Sequence, residues 1–390
     1  LRCWSRSSSK PVECRRVVDG SSRPLAQSVV VLSSQLITTL SALAYLRWRG
    51  IRGTRLEVVS LYRDDLSHSA KAFQPLLQDL AAQDGHDCRF ITGDSALIEP
   101  EPRACSLLLL PRLDDREGQQ MLRAYLASEV VELGESIGVE TRLYSEQAQR
   151  NRIRALELVR RSQAMASVRL DPLVPFDRPV EPLRLQELLE ICASFRRALV
   201  DAEAPCGPQT AGVLLCLPYL RVPQWHMRWR LLGRSFGWRP APGIENRTYF
   251  KRAICAALRP LPANAPLRVQ AHPKNETHHG LIERLLASLR PGRSWELLPA
   301  DEPLEVRLLR GWSDEGIGRW NVLGFGTNLL SAAVFLSPHH RGVGLCQPAE
   351  QGWWRRCIDP WLNRREWQRS QHVGPLLTNL LDALDQLQAQ

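Results

Sequence analysis

The stretch LRVQAHPK, residues 267–274, is the part of the chain from which the fold can best be inferred. Its first five residues form a largely apolar, β-prone run, and the run stops abruptly at His272 and Pro273. This pattern predicts a buried strand with a histidine at its carboxyl end. Ligands of open α/β sheets bind at that edge of the sheet, so His272 is a candidate ligand-binding residue.

Two later stretches repeat the pattern with different polar residues. SWELLP followed by PLEV covers residues 294–306, and NVLGFGTNLLSAAVF covers residues 321–335. Three consecutive predicted strand ends therefore carry His272, Glu305 and the pair formed by Thr327 and Asn328. A histidine, a carboxylate and small polar groups at one edge would suit a nucleotide.

Strand-like and helical patterns alternate through the first half of the chain as well. Strands are predicted at 29–32, 56–61, 88–92, 106–110 and 130–133, and helices at 35–48, 70–82 and 119–126. Such alternation predicts right-handed βαβ units and a parallel sheet. Further helices are predicted at 146–167, 185–200, 249–258 and 281–289, and the strand pattern restarts at Ala211.

The predicted organisation is two α/β domains with separate cores. An N-terminal domain covers residues 25–150, a helical connection and linker covers 151–210, and a C-terminal domain covers 211–350. Residues 1–24, rich in Arg and Ser, are expected to be disordered or non-native, and residues 351–390 are expected to form C-terminal helices.

Composition excludes several classes of protein. The formal net charge is +10, but only four of the 51 basic residues are lysines, and no nucleic-acid-binding signature accompanies the charge, which argues against a nucleic-acid partner. The ten cysteines form no CxxC pair or ligand cluster, which argues against structural zinc and a disulfide scaffold. Cys216 and Cys255 are expected to be reduced core residues, and the location to be cytoplasmic.

The order of these motifs resembles that of bacterial sialyltransferases, especially the polysialyltransferase-like group. Those motifs are an acidic turn with glycine, then HP, then P-x-E, then a Gly-rich turn with small hydroxyl residues. The resemblance implies a GT-B architecture, in which two Rossmann-like domains face a cleft. It also implies an inverting, metal-independent transfer of sialic acid or a related acid sugar from a CMP-activated donor to a glycan or glycolipid hydroxyl, without a cofactor.

The resemblance assigns the nucleotide site to the second domain. His272, followed by Pro273 and Lys274, would bind the departing phosphate, which needs hydrogen-bond donors as its charge develops. In P-x-E, Glu305 after Pro303 would bind the ribose hydroxyls. The same residues could instead begin a helix, where proline and early acids are common.

The Gly-rich turn would complete the phosphate site. Gly326 allows a tight turn, and Thr327 or Asn328 could cap a helix whose free N–H groups face an anion. Asn328 stands where the family has a second hydroxyl. An ordinary strand-to-helix turn would have the same composition.

The resemblance places the catalytic base in the first domain, and Glu135, in the stretch EVVELGESIGVET, is the choice. The match is imperfect, because Gly134 stands where a first acid is expected and Ser136 where a glycine is expected. Two rivals remain: Asp314 with Glu315 in SDEGIG, and Asp114 with Asp115 in RLDDREG.

The adjacent His278 and His279 are not predicted to bind a metal. A third metal ligand at a recognisable spacing is missing, so both side chains are expected to be solvated.

Two stretches combine tryptophan with arginine, at residues 224–239 and 353–369. They are compatible with an acidic glycan, with peripheral contact to the cytoplasmic membrane face, or with ordinary amphipathic structure. Two alternatives to the sialyltransferase reading stay open: a GT-B transferase that uses another nucleotide sugar, and a degenerate fold that binds a glycan or nucleic acid without catalysis.

Overall fold

A computed structural model describes the two sheets and the helices that pack on them. The described residues are 27–33, 35–61, 73–92, 101–113, 115–134, 153–157, 159–160, 167–171, 181–199, 211–217, 225–231, 234–240, 266–271, 279–289, 295–298, 319–324 and 341–344, together with 258, 304 and 308.

The first sheet has six parallel strands. In chain order these are β1 (Ser28–Leu32), β2 (Arg55–Ser60), β3 (Asp87–Thr92), β4 (Arg103–Leu110), β5 (Tyr125–Glu132) and β6 (Ser167–Leu170). Their order across the sheet is β3-β2-β1-β4-β5-β6, which is the order of the Rossmann fold. β1 is buried at four of its five positions and β4 at five of its eight, including the last four, as expected for central strands of a sheet covered on both faces.

Besides the helical residues 153–157 and 159–160, the described part of this half contains four helices with defined ends. They are α1 (Leu36–Trp48), α2 (Gln74–Gln83), α3 (Arg116–Ala124) and α4 (Pro182–Leu199). α4 packs against both α1 and α2, while α3 contacts β5. The predicted strands and helices of this half are confirmed, but several boundaries differ: β4 begins at 103 rather than 106, β5 at 125 rather than 130, and α3 at 116 rather than 119. The helix predicted at 119–126 ends at Ala124, because Tyr125 begins β5 and is buried beside Arg103 and Glu57.

Part of the predicted connection at 151–210 contributes to the first sheet. Ser167–Leu170, which was expected to be helical or linking, forms β6 and pairs with β5. Residues 153–157 and 159–160 are helical, as predicted. Residues 201–210, predicted to be a linker, and residues 1–24 and 351–390 lie outside the described residues.

The second sheet has five parallel strands. They are β7 (Ala211–Cys216), β10 (Leu267–Gln270), β11 (Trp295–Leu298), β12 (Arg319–Gly324) and β13 (Arg341–Gly344), in the order β11-β10-β7-β12-β13. A separate antiparallel hairpin of β8 (Trp225–Leu231) and β9 (Arg234–Pro240) lies between β7 and β10 in the chain. α5 (His279–Leu289) follows β10. The fold is therefore α/β with two parallel sheets, consistent with two Rossmann-like domains.

Apolar side chains cover both faces of the second sheet. Val213, Leu215 and Val269 pack with Ile282 and Leu286 of α5 on one face. Leu214, Trp320 and Val322 lie on the other face, in a cluster that also contains α1 and α4 side chains of the first half. The two sheets thus share part of one core, where the sequence predicted two separate cores.

A buried ion pair joins the end of β6 to α4. The Arg184 guanidinium contacts the Asp171 carboxylate through Nη1, and Nη2 donates to the Asp171 carbonyl oxygen at 2.7 Å. The guanidinium also lies 5.5 Å from the ring centroids of Tyr45 and Trp48, on α1. Burial lowers the pKa of Arg184, and the Asp171 carboxylate opposes that shift. The buried Arg184 guanidinium therefore connects α4 to the end of β6 and to α1.

Stability is expected to fall in mild acid because of His86, which is buried before β3. Its Nδ1 accepts from the Thr54 backbone N–H at 3.4 Å, and burial lowers its pKa below the ordinary value of 6.5. The unfolded chain therefore binds a proton more readily, so the contribution of neutral His86 is present above pH ~6.5 and is lost as pH falls below it. Urea unfolding of the wild type and His86→Asn at pH 7.5 and 5.5 should show a smaller loss for the variant. Equal losses would contradict this account.

Candidate functional site

The carboxyl edge of the second sheet is the best candidate for a ligand site. From β7 the chain adds β10 and β11 on one side and then returns to add β12 and β13 on the other. The strand order therefore reverses between β7 and β12. In parallel sheets a ligand crevice opens outside the carboxyl ends of the strands at such a reversal.

The strand register aligns three strand ends at this edge. Cys216 of β7 is in register with Gln270 of β10 on one side and with Gly324 of β12 on the other. Neighbouring strands lie about 4.8 Å apart, so the ends of β10 and β12 are separated by roughly 10 Å. One small ligand could therefore reach the ends of both strands.

The sheet beneath this edge is tightly packed. Trp320 of β12 is fully buried over Gly212 of β7, and a Cβ atom at position 212 would lie 2.6 Å from its Cζ3 atom. The Arg268 guanidinium lies 5.5 Å from the centroid of the Trp320 ring system, and its Nη1 is 3.2 Å from the carboxylate of Glu296 on β11. These contacts fix β7, β10, β11 and β12 relative to one another, which makes the edge a rigid support.

Two buried polar atoms lie on the described residues on either side of residues 272–278, one on Gln270 and one on His279. At the end of β10, Gln270 Nε2 donates to the Ala271 carbonyl oxygen at 3.1 Å, while its Oε1 is buried without a donor among the described residues. At the start of α5, the His279 Nε2 atom is likewise buried without a hydrogen-bond partner in the described part of the chain. His279 is half-buried, whereas the sequence predicted a solvated side chain. Sequence reasoning missed Gln270, although an amide at the end of an apolar strand was a visible signal.

The predicted nucleotide-binding residues follow these strand ends in sequence but lie outside the described residues. His272, Pro273 and Lys274 come directly after Ala271, and Pro303 and Glu305 stand on either side of Leu304. The same holds for Gly326, Thr327 and Asn328, the first of which stands two residues after Gly324.

The segment around P-x-E is described at two positions. Leu304 and Leu308 are both helical and buried.

The first sheet has a corresponding edge where its strand order reverses between β1 and β4. After β1, the hydroxyls of Ser33 and Thr39 are hydrogen-bonded at 2.7 Å in a buried position. β5 lies next to β4. At its end, the buried Glu132 carboxylate accepts a hydrogen bond from the Leu113 backbone N–H at 3.0 Å, which connects the residues after β4 to β5. Glu132 was missed from the sequence, although an acid that ends the run EVVE was a usable signal.

The backbone conformation at position 134 favours glycine. It follows β5 with φ of 73°, in the left-handed region that side chains with a Cβ atom disfavour. Its presence where the family resemblance expects an acid is thus explained by the local turn. Glu135, the predicted base, is the next residue and lies outside the described residues, as do Ser136, Asp314 and Glu315.

Asp115, one of the rival acids, has a structural role. Its carboxylate accepts from the Gly118 backbone N–H at 2.6 Å and caps the amino end of α3. Asp114 lies outside the described residues. The cap accounts for Asp115 without a part in catalysis.

The described cysteines are suited to the core rather than to chemistry. Burial raises the pKa of Cys88, Cys105 and Cys192 to about 12 in each case, so their thiols stay protonated at neutral pH. Cys216 is buried in the core, as predicted, while Cys255 lies outside the described residues. Among the described side chains, no three of His, Cys, Asp and Glu come together as metal ligands.

Comparison with known proteins does not assign the chain to a family. No protein-family model matches the chain, and a search of curated proteins finds no similar sequence. Of the helices that the structure describes, none is long and apolar enough to cross a membrane.

Proposed function

We propose that the chain is an inverting, metal-independent glycosyltransferase of the sialyltransferase type, with a GT-B arrangement of its two α/β halves. It would transfer sialic acid or a related acid sugar from a CMP-activated donor to a hydroxyl of a glycan or glycolipid. The enzyme would act in the cytoplasm, and its tryptophan- and arginine-rich stretches would contact the membrane face.

The observation that carries the proposal is the strand order of the second sheet. β10 and β12, the strands that precede His272 and Thr327 in sequence, both pair with β7 and end at one edge. This is the edge at which the reversal between β7 and β12 favours a nucleotide. A second support is that Glu135 follows β5, which lies next to β4 at the reversal in the first sheet.

The proposed reaction needs one group in each half. Glu135 takes the proton of the acceptor hydroxyl as its oxygen bonds to the anomeric carbon of the sugar. The bond between that carbon and the phosphate oxygen breaks, and its electron pair leaves with CMP. His272, with Lys274 nearby, stabilises the departing phosphate. Attack from the side opposite the phosphate inverts the anomeric carbon.

A thermal-shift comparison of CMP, UDP and GDP tests the donor class. Only a nucleotide that binds the folded protein raises the melting temperature, and a ligand at about 100 times its Kd contributes about 2.7 kcal/mol. We expect CMP to raise the melting temperature by several degrees, with or without a chelator, and UDP and GDP to have little effect. A shift with UDP or GDP alone would favour another nucleotide-sugar transferase.

Donor hydrolysis distinguishes an enzyme from a binding protein. We expect slow release of CMP from CMP-sialic acid in the absence of acceptor, because water can replace the acceptor hydroxyl. CMP binding without any release of CMP from the donor would instead indicate a fold that binds the nucleotide without catalysis.

A further inference from the structure

The orientation of the Gln270 side chain is fixed by its one hydrogen bond. The Ala271 carbonyl oxygen can only accept, so the atom 3.1 Å from it must be the amide nitrogen of Gln270. The opposite end of the amide is therefore the oxygen, Oε1. This oxygen is buried and has no donor among the described residues.

A buried acceptor without a donor destabilises a folded protein and is rare in native structures. Gln270 is only 6% exposed, so bulk water does not satisfy its oxygen. A ligand that supplies the missing donor would account for such a group. The side chain is consequently a candidate for direct contact with a bound molecule.

The position of Gln270 agrees with this interpretation. Leu267 and Val269 pack towards α5, and because side chains alternate along a strand, Arg268 and Gln270 belong to the other face of the sheet. Arg268 already has partners in Trp320 and Glu296. Gln270 is the last residue of β10, in register with Cys216 of β7 at the edge where the strand order reverses.

We propose that Gln270 determines base specificity, with Oε1 accepting a hydrogen bond from the exocyclic amine of the donor's cytosine. The inference rests on the proposed function. That function assigns the phosphate to His272 and the ribose hydroxyls to Glu305, so the base is the part of the nucleotide left to supply a donor. Uracil carries a carbonyl oxygen in place of this amine and would set two acceptors against each other.

Titration calorimetry with CMP and UMP tests the proposal. We expect the wild type to bind CMP about 10-fold more tightly than UMP, the effect of one hydrogen bond to a buried group. Gln270→Met, which keeps the size of the side chain, should bind CMP about 10-fold more weakly and lose the preference for CMP. Gln78→Met is the matched control, because Gln78 also donates to a backbone carbonyl, that of Cys88, in the first half of the chain. It should retain the affinity and preference of the wild type.

The melting temperature of the ligand-free protein separates binding from a structural role. Gln270→Met removes the unsatisfied Oε1 as well as the Nε2 hydrogen bond to the Ala271 carbonyl oxygen, so the two effects oppose each other and the variant should melt close to the wild-type temperature. A lower melting temperature together with an unchanged preference for CMP would overturn the proposal and make Gln270 a structural residue.

A second ligand keeps the proposal testable if the variant does not fold. The monophosphate of the pyrimidin-2-one nucleoside lacks only the exocyclic amine, and the wild type should bind it about 10-fold more weakly than CMP. Equal binding of CMP, UMP and this analogue would overturn the role of Gln270 while leaving the transferase proposal intact. Binding of none of them would remove the proposed function and this inference together.

Discussion

Replacing His272 with alanine is expected to lower kcat for sugar transfer by about 100- to 1,000-fold. This is the loss typical when one hydrogen-bond donor to a developing anion is removed. His272 directly follows Ala271, at the edge of the second sheet where the strand order reverses. The measurement is CMP release with a saturating glycan acceptor, together with the melting temperature of the ligand-free protein, which we expect to be unchanged.

His278→Ala is the control for this experiment, since it removes another histidine from the same stretch of chain. Its turnover should stay close to that of the wild type. Near-normal turnover of His272→Ala would remove the phosphate-binding role of His272, while equal losses in both variants would indicate a general disturbance of the segment.

Replacing Arg184 with methionine is expected to lower the free energy of unfolding by about 3–5 kcal/mol, because it leaves the buried Asp171 carboxylate without its counter-charge. The same change removes the cation that lies over the Tyr45 and Trp48 rings. The measurement is urea unfolding at pH 7.5. Adding Asp171→Asn to this variant should recover part of the loss, because no uncompensated charge then remains buried.

Arg197→Met is a matched control for Arg184→Met. Arg197 is on the same helix but is exposed, and its described contact is a 3.2 Å hydrogen bond to Ser194. We expect a change within about 0.5 kcal/mol. If Arg184→Met were equally mild, the ion pair between β6 and α4 would not be a major source of stability.

The central strands β1, β4 and β7 were predictable from the sequence, and the edge strand β6 was not. β1, β4 and β7 are apolar runs because both faces of a central strand are buried. β6 is short and mostly exposed, so no apolar pattern marks it. Tyr125 was assigned to a helix because its partners, Arg103 and Glu57, are distant in sequence and become neighbours only across the sheet.

The strands that precede His272 and Thr327 in sequence were predictable, but their order across the sheet was not. The sequence indicates that His272 follows a strand, yet nothing local reveals that β7 lies between β10 and β12. Burial of Gln270 has the same origin, since it depends on neighbours contributed by other parts of the chain. Gly134 was interpreted as a departure from a motif, because a positive φ angle is not visible in the residue type alone.

The contact between Gly212 and Trp320 has an evolutionary consequence. The indole fills the space that any larger residue at position 212 would need, and both positions lie in neighbouring central strands. Either substitution alone would create a clash or a void, so the two positions should covary among homologous chains. A homologue with alanine or valine at the position of Gly212 should carry a smaller side chain in place of the tryptophan.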